Sequence, residues 1–265
     1  MIKAVIFDWA GTTVDYGCFA PLAVFIEVFR QKGIEITTAE ARAPMGMLKW
    51  DHIKALCEMD RIKQVWADKF GKVPDDSDVD ALYQDFEPML LGILPDYAEP
   101  VPGALALVES LRRQKIKIGS TTGYTGKMMD IVAREAKKRG YAPDCLVTST
   151  DVPSGRPFPY MCYQNAIQLE VFPLSHMVKV GDTVSDIKEG VNASMWSVGV
   201  LRGGSELGLS EKEVESLAPD KLAGLLETTK QRFLDAGAHY VIDSIGSLEG
   251  LLPEIDARIG NGEKP

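Results

Sequence analysis

The sequence has few of the residues that build disulfide frameworks and structural zinc sites. It contains 4 cysteines and 3 histidines in 265 residues, and no two cysteines form a Cys-x-x-Cys pair. A structural zinc site needs clustered thiolate and imidazole ligands, so this dispersal excludes one. Scattered cysteines also indicate free thiols in a reducing compartment, because disulfide frameworks occur mainly in small secreted domains.

Long apolar runs and an excess of positive charge are also missing. The first apolar run ends at Asp8, which is too soon for a membrane span or the core of a signal peptide. We therefore expect a cytoplasmic protein without a membrane partner. Lys and Arg total 29 against 38 Asp and Glu, for a net charge of −9. This acidic balance argues against nucleic-acid partners and implies that an anionic substrate is bound by a local positive site.

Six short apolar runs rich in β-branched residues predict buried strands, and stretches of helical periodicity separate most of them. The runs are residues 2–7, 115–120, 144–148, 177–182, 197–201 and 239–243. Alternating strands and helices predict an α/β protein with a doubly wound parallel sheet. Ligands bind such sheets beyond the carboxyl ends of the strands, where Asp8, Asp182 and residues 120–122 are expected to meet.

A long stretch between the first two predicted strands has no strand signal of its own. Residues 19–31 and 82–94 show helical spacing, and Thr37-x-x-Glu40 and Ser77-x-x-Asp80 are typical helix starts. Glycine and proline residues at 16–17 and 95–103 mark the exit from the sheet and the return to it. We expect a core domain of residues 1–16 and 100–265, with an inserted helical cap at 17–99.

Polar groups at the strand ends suggest a site for a phosphorylated ligand. Asp8 is followed by a glycine and two threonines, whose backbone N–H groups can approach an anion. Asp182 and Asp186 follow another strand with the spacing that suits one Mg²⁺ ion. Taken singly, such residues are commonly helix caps or acidic first turns of helices. Only their combination favours catalysis.

Two further motifs complete this set. Residues 119–123, Gly-Ser-Thr-Thr-Gly, place hydroxyls and amides after a strand, where they can hold a phosphoryl oxygen. Arg156 stands between Gly155 and Pro157, and its guanidinium matches phosphate geometry. A solvated turn and a surface arginine are the alternatives for these two motifs.

Together the four motifs resemble those of the haloacid dehalogenase superfamily. The resemblance implies that Asp8 attacks phosphorus to form an aspartyl phosphate. It implies that Mg²⁺ is bound by Asp8, the backbone carbonyl of Ala10 and Asp182. It also implies that Thr122 and Arg156 bind phosphoryl oxygens, with Thr121 as an alternative to Thr122. Asp186 is implied to support the metal site.

Ala10 is a departure from the superfamily pattern, since its phosphatases usually have a second aspartate there as general acid and base. Without general acid catalysis, a reaction that releases an alkoxide is slower by roughly two to four orders of magnitude. The leaving group of this chain's substrate is therefore expected to need no proton.

Lys49 is a candidate for a reaction whose leaving group needs no proton. Met45, Lys49 and His52 have the spacing of one helical face. Burial lowers a lysine pKa, and the free amine can form an imine with a carbonyl substrate. A protonated imine accepts the electrons of a breaking carbon–phosphorus bond. A solvated helix face is the alternative interpretation of Lys49.

The motifs around Lys49, joined to those around Asp8 and Thr122, resemble the phosphonoacetaldehyde hydrolase family over nearly the whole chain. This resemblance implies that Lys49 is the Schiff-base lysine and that His52 and Tyr124 transfer protons or orient groups. It also implies that Cys18, Met45 and Gly46 line the cap side of the site. Simple packing remains the alternative for His52, Tyr124, Cys18 and Met45. No histidine or helix-start signal near Cys18 predicts a thiolate.

The function expected from this resemblance is hydrolysis of a small phosphonate, phosphonoacetaldehyde, to acetaldehyde and phosphate. The alternatives are a phosphatase or phosphomutase of ordinary phosphate esters, and a catalytically silent binding protein. A homodimer formed through the cap helices is also implied. The apolar face of Phe19, Val24, Phe25 and Val28 is a candidate contact, although core packing explains it equally well. No P-loop or dinucleotide fingerprint is present, so no nucleotide cofactor is expected.

Overall fold

A computed structural model describes residues 1–265, and a single parallel sheet organises the chain. Its six strands lie in the order β3-β2-β1-β4-β5-β6. They are β1 (Ala4–Phe7), β2 (Lys117–Thr122), β3 (Cys145–Thr148), β4 (Met177–Gly181), β5 (Trp196–Val200) and β6 (Tyr240–Ile242). Each strand lies within or overlaps one of the six predicted runs. The α/β prediction with a parallel sheet is confirmed.

The strand order places the predicted site in the middle of the sheet. Strand β1 pairs with β2 on one side and with β4 on the other, and Phe7 is in register with Ser120 and Val180. The chain therefore builds outward in both directions from β1, which leaves a crevice at its carboxyl end. Asp8 lies at that crevice, between the ends of β2 and β4.

Helices flank the sheet and bury its apolar side chains. These helices are α6 (Ala104–Arg113), α7 (Gly126–Lys138), α8 (Tyr160–Gln168), α9 (Val184–Asn192), α10 (Glu211–Ser216), α11 (Pro219–Asp235) and α12 (Leu248–Gly260). Strands β1, β4 and β5 are buried at every position, as expected for strands covered on both faces. None of the helices is both long and apolar enough to span a membrane.

Five helices and no strand lie between β1 and α6, and we call α1–α5 the helical insertion. They are α1 (Phe19–Gln31), α2 (Thr38–Arg42), α3 (Lys49–Glu58), α4 (Asp60–Phe70) and α5 (Asp76–Ile93). Thr37 and Glu40 form a capping box, as the sequence predicted. The predicted start at Ser77 is wrong, because Asp75 caps α5 and accepts the N–H groups of Ser77 and Asp78. The predicted domain boundaries at 17–99 remain a prediction.

The apolar face of α1 is used inside the insertion. Val24, Phe25 and Val28 are buried, and the ring of Phe25 stacks on Phe86 at 4.4 Å and on His52 at 3.7 Å between centroids. Core packing is therefore the correct interpretation of Val24, Phe25 and Val28, whereas Phe19 is half-buried. A homodimer formed through the cap helices remains a prediction.

Candidate active site

A small cavity lies between the carboxyl ends of β1 and β2 and the helical insertion. Its volume is about 20 Å³, which is room for one water molecule, so the insertion is closed over the sheet in this structure. The lining residues are Asp8, Ala10, Cys18, Met45, Gly46, Lys49, Thr122, Gly123, Tyr124, Arg156 and Thr183. Most residues predicted for the site are thus brought together, but His52, Asp182 and Asp186 do not line the cavity.

The carboxylate of Asp8 is paired with Arg156 in the wall of the cavity. Arg156 Nη2 lies 2.5 Å from Asp8 Oδ1, and both side chains are buried. Burial raises the pKa of Asp8, while the Arg156 guanidinium opposes that rise. The pair keeps a carboxylate oxygen and a guanidinium side by side in the cavity wall.

Only one of the two candidate threonines faces the cavity. Thr122 lines it, and its Oγ1 accepts the N–H of Tyr124 at 3.1 Å, which leaves the hydroxyl hydrogen free for a ligand. Thr121 points to the other face of the strand and donates to Glu189 at 3.0 Å. The alternation of side chains along β2 therefore places Thr122, and not Thr121, where a phosphoryl oxygen would bind.

Three carboxylates crowd the carboxyl ends of β1 and β4. Ligand atoms of Asp8, Asp182 and Asp186 lie within 4.8 Å of one another. Asp182 contacts no cationic side chain, since its oxygens accept only Thr12 Oγ1 and Ser205 N–H, each at 2.7 Å. Burial and the neighbouring aspartates raise its pKa well above that of an ordinary aspartate. A divalent cation would supply the missing positive charge, so this donor set fits a hard metal ion.

Asp186 has a different role from Asp182 because its oxygens are already used. Oδ1 accepts Lys179 Nζ at 2.6 Å and lies 3.1 Å from Arg156 Nη2. Oδ2 accepts the hydroxyl of Thr183 at 2.6 Å, which caps α9. Burial opposes ionisation, but Arg156 and Lys179 nevertheless hold the pKa of Asp186 below its ordinary value. Asp186 thus orders the loop that carries Asp182.

Lys49 is the first residue of α3, and its amine faces Asp8's side of the cavity without a carboxylate partner. The side chain is buried, and Nζ lies 4.9 Å from the ring centroid of Tyr124 and 5.7 Å from that of Phe25. Burial lowers the pKa of Lys49 below that of an ordinary lysine. The surroundings therefore favour a free amine, the form that attacks carbonyl carbon.

The predicted helical face of Met45, Lys49 and His52 is wrong in one respect. Met45 and Gly46 lie in the turn before α3, and the φ of Gly46 is +88°, which no helix accommodates. Both residues reach the cavity through that turn. His52 is fully buried in the insertion, where its Nε2–H donates to the carbonyl of Ala41 at 2.9 Å. Burial lowers the pKa of His52 well below its usual range, so the imidazole is neutral.

Comparisons with known proteins agree with this geometry. The sequence model of the family described as haloacid dehalogenase-like hydrolase matches residues 2–194. A phosphonoacetaldehyde hydrolase from Bacillus cytotoxicus is 60% identical over 255 residues, which cover 96% of this chain and 97% of that protein. The chain belongs to the phosphonoacetaldehyde hydrolase family of haloacid dehalogenase-like hydrolases. It is therefore a hydrolase.

Two more proteins are similar to this chain, one by structure and one by sequence. The crystal structure of a phosphonoacetaldehyde hydrolase-like protein from Oleispira antarctica superposes with a TM-score of 0.97 at 41% identity, covering 100% of this chain and 96% of that one. A bifunctional phosphonoacetaldehyde hydrolase/aminoethylphosphonate transaminase from Clostridioides difficile is 58% identical over 255 residues. The match covers 96% of this chain but only 40% of the length of that protein.

Cys18 and Tyr124 complete the wall of the cavity in this hydrolase. Cys18 directly precedes α1, which begins where the helical spacing of residues 19–31 predicted. Its thiol is buried, and burial raises its pKa well above the ordinary value, so it is not a thiolate. The Tyr124 hydroxyl is buried without a hydrogen-bond partner. It is therefore free to bond to an incoming group.

Two buried charges beneath the site, Lys179 and Glu189, belong to none of the predicted motifs. Glu189 Oε2 accepts Arg156 Nε at 3.0 Å and lies 3.5 Å from Lys179 Nζ. These contacts fix the guanidinium that pairs with Asp8. The sequence did contain one signal for these charges. Lys179 lies in the middle of a strand predicted to be buried on both faces, and a buried cation requires acidic partners.

Proposed function

We propose that the chain hydrolyses the carbon–phosphorus bond of phosphonoacetaldehyde to give acetaldehyde and inorganic phosphate. One observation carries this proposal: the unpaired, buried amine of Lys49 shares a closed cavity with the carboxylate of Asp8. A substrate with an aldehyde at one end and a phosphonate at the other presents one reacting group to each residue. The names of the close relatives support the same substrate.

In the first step Lys49 Nζ attacks the aldehyde carbon, water leaves, and a protonated imine forms. Asp8 then attacks phosphorus, and the electrons of the carbon–phosphorus bond move into the imine to give an enamine. Carbon takes a proton later, when the enamine returns to an imine that water hydrolyses to acetaldehyde. No leaving oxygen needs a proton during bond cleavage, which agrees with the methyl group of Ala10 in place of an acid.

Phosphorus ends on Asp8 as an aspartyl phosphate, and water releases it as inorganic phosphate. In this proposal the Arg156 guanidinium binds phosphoryl oxygen, and the free hydroxyl hydrogen of Thr122 donates to another phosphoryl oxygen; the contact of Arg156 with Asp8 supports its role. Asp8, Asp182 and the backbone carbonyl of Ala10 would hold Mg²⁺ beside this group. When bound, the ion would stabilise the negative charge that develops on the transferring phosphoryl group.

Tyr124 and Cys18 shape the amine's surroundings in this proposal. The Tyr124 ring faces Lys49 Nζ and, with Cys18, keeps the amine away from water. A dry pocket protects the imine from premature hydrolysis. His52 acts from within the insertion by packing on Phe25, next to the lysine.

The test is phosphate release from phosphonoacetaldehyde with and without Mg²⁺. Lys49→Arg and Asp8→Ala should each abolish release. Lys54→Arg is a matched control, because Lys54 lies on the same helix but is exposed and paired with Asp76. Release of phosphate from sugar phosphates, with none from phosphonoacetaldehyde, would contradict the proposal and favour an ordinary phosphatase.

We also propose that the chain forms a homodimer, although not through the buried face of α1. Large apolar side chains are exposed on and around α8, at Phe158, Tyr160, Tyr163, Ile167 and Phe172. Tyr163, Ile167 and Phe172 line a cavity of about 410 Å³, so the surface offers both projections and a hollow to a second copy. A two-fold interface requires such self-complementarity. Ile167→Glu should convert a dimer to a monomer in analytical ultracentrifugation, and an unchanged mass would contradict this surface.

A further inference from the structure

Arg42 connects the helical insertion to the sheet at a point outside the cavity. It is the last residue of α2, and its side chain extends from the insertion to the loop after β5. Its Nη1 donates to the carbonyl of Gly17 at 2.9 Å and to that of Ser205 at 3.2 Å, and its Nη2 donates to the carbonyl of Gly208 at 3.3 Å. The guanidinium also lies 5.0 Å from the ring of Phe19.

The acceptors belong to two different parts of the chain. Gly17 lies on the segment that leads into the insertion, whereas Ser205 and Gly208 lie on the loop after β5, residues 201–208. Their carbonyl groups point at one guanidinium, which has several donors in a fixed plane and can satisfy them together. An ammonium group has no such plane. The contact is therefore specific for arginine.

The loop that Arg42 holds also supports a carboxylate of the metal site. The N–H of Ser205 donates to Asp182 Oδ2 at 2.7 Å. The loop lies so close that a Cβ atom on Gly204 would come within 2.9 Å of Asp182 Cβ. Movement of residues 201–208 would consequently change the orientation of Asp182.

On its C-terminal side, Arg42 is joined by a short turn to Lys49, which carries the amine. Only residues 43–48 separate Arg42 from Lys49, and this short turn is pressed against the sheet. A Cβ atom on Gly46 would lie 2.4 Å from Thr183 Oγ1, and one on Gly123 would lie 2.7 Å from the carbonyl of Met47. Fixing Arg42 to the sheet thus fixes one end of the turn whose other end carries Lys49.

We propose that Arg42 is a positioning residue that couples closure of the helical insertion, and hence placement of Lys49, to the orientation of Asp182 at the metal site. The proposal deepens the proposed function and rests on it for the role of Lys49. Arg42 touches neither substrate nor metal. It acts through the carbonyls of the 201–208 loop on one side and through residues 43–48 on the other.

The test compares Arg42→Lys and Arg42→Ala with Arg61→Ala. Arg61 is the matched control, because it is also an arginine of the insertion but pairs only with Glu40 and the Glu35 carbonyl there. Two quantities are measured: the rate of borohydride trapping at saturating phosphonoacetaldehyde, and Mn²⁺ affinity without substrate by electron paramagnetic resonance. A misplacement of about 1 Å can cost a reaction about 100-fold, so trapping should slow by roughly 10- to 100-fold.

Mn²⁺ affinity should fall by about 5-fold or more in both Arg42 variants, the lower end of typical coupling between sites. Added guanidinium ion should restore part of both quantities in Arg42→Ala, since it can refill the cluster of carbonyl acceptors. Arg61→Ala should change neither. Arg42→Lys retains charge and bulk, so it remains a test if Arg42→Ala does not fold.

Equal trapping rates and equal Mn²⁺ affinities in the Arg42 and Arg61 variants would overturn the coupling. Slower trapping with unchanged Mn²⁺ affinity in both Arg42 variants would also overturn it, because the link to Asp182 would then be absent. Failure of the wild-type protein to release phosphate from phosphonoacetaldehyde would count against the proposed function instead. The Mn²⁺ measurement uses no substrate and still tests the link between Arg42 and Asp182.

Discussion

Gly46 is the position at which a single methyl group should separate the helical insertion from the sheet. Its φ is +88°, and a Cβ atom there would lie 2.4 Å from Thr183 Oγ1. A left-handed conformation costs an L-residue about 1–2 kcal/mol. Overpacking of a closed contact costs about 1–3 kcal/mol. The backbone strain is present whether the insertion is open or closed, so only the overpacking of about 1–3 kcal/mol opposes closure in Gly46→Ala. It should lower the population of the closed state roughly 5- to 150-fold.

This penalty should be relieved by opening and not by unfolding, because the clash lies between the insertion and the sheet. We expect kcat/KM for phosphonoacetaldehyde to fall by at least about 5-fold in Gly46→Ala. The melting temperature should change by only a few degrees, roughly the effect of 1 kcal/mol. The rate is followed by enzymatic reduction of the acetaldehyde produced, and stability by calorimetry.

Gly71→Ala is the matched control for backbone strain. Gly71 also lies in the insertion with a positive φ, +72°, but nothing is within 4 Å of its Cβ position. Gly71→Ala should lower the melting temperature while leaving kcat/KM unchanged. Wild-type kcat/KM in Gly46→Ala, or the same small loss in both variants, would refute the argument that closure depends on this contact.

Three further changes test separate parts of the site. Asp8→Asn should abolish phosphate release yet still permit borohydride labelling of Lys49, as peptide mass spectrometry would show, and loss of labelling would contradict independent imine formation. Arg156→Ala leaves the buried Asp8 without its cationic partner, so urea unfolding should show a loss of about 3–5 kcal/mol, and a loss below about 1 kcal/mol would contradict a buried ion pair. Burial raises the pKa of Asp15 to about 6. The folded chain therefore holds that proton more tightly than the unfolded chain, and stability falls as pH rises from about 4 to 6. Asp15→Asn should be more stable than wild type by up to ~3 kcal/mol at pH 7, with the gap closing towards pH 4, and a gap independent of pH would contradict this assignment.

The sheet was predictable because most of its strand positions are buried. Short runs of mainly apolar and β-branched residues leave little choice of structure, and the six runs correspond to the six strands. Helix α1 was predicted at residues 19–31, as found. The start of α5 was not predicted correctly, because Asp75 and Ser77 are both good helix caps and only the conformation of the chain decides between them.

The site was predictable where its residues directly follow strands. Asp8, Thr122 and Arg156 are local to recognisable motifs, and parallel strand ends bring them together. Lys179 in β4 indicated acidic partners below them, but Glu189 could not be predicted as one, since its contact with Arg156 depends on packing between α9 and the loop after β3. The turn at Met45 and Gly46 was mistaken for helix because helical spacing alone does not reveal the positive φ of a glycine.

The central claim is that Lys49 and Asp8 act on opposite ends of one substrate, and trapping the covalent intermediate tests it most directly. The protein is treated with borohydride in the presence of phosphonoacetaldehyde, digested and mapped by mass spectrometry. We predict loss of activity together with one modified residue, Lys49, carrying a phosphonoethyl or an ethyl group. Inactivation without a modification on Lys49, or with modification of another lysine in its place, would contradict the mechanism.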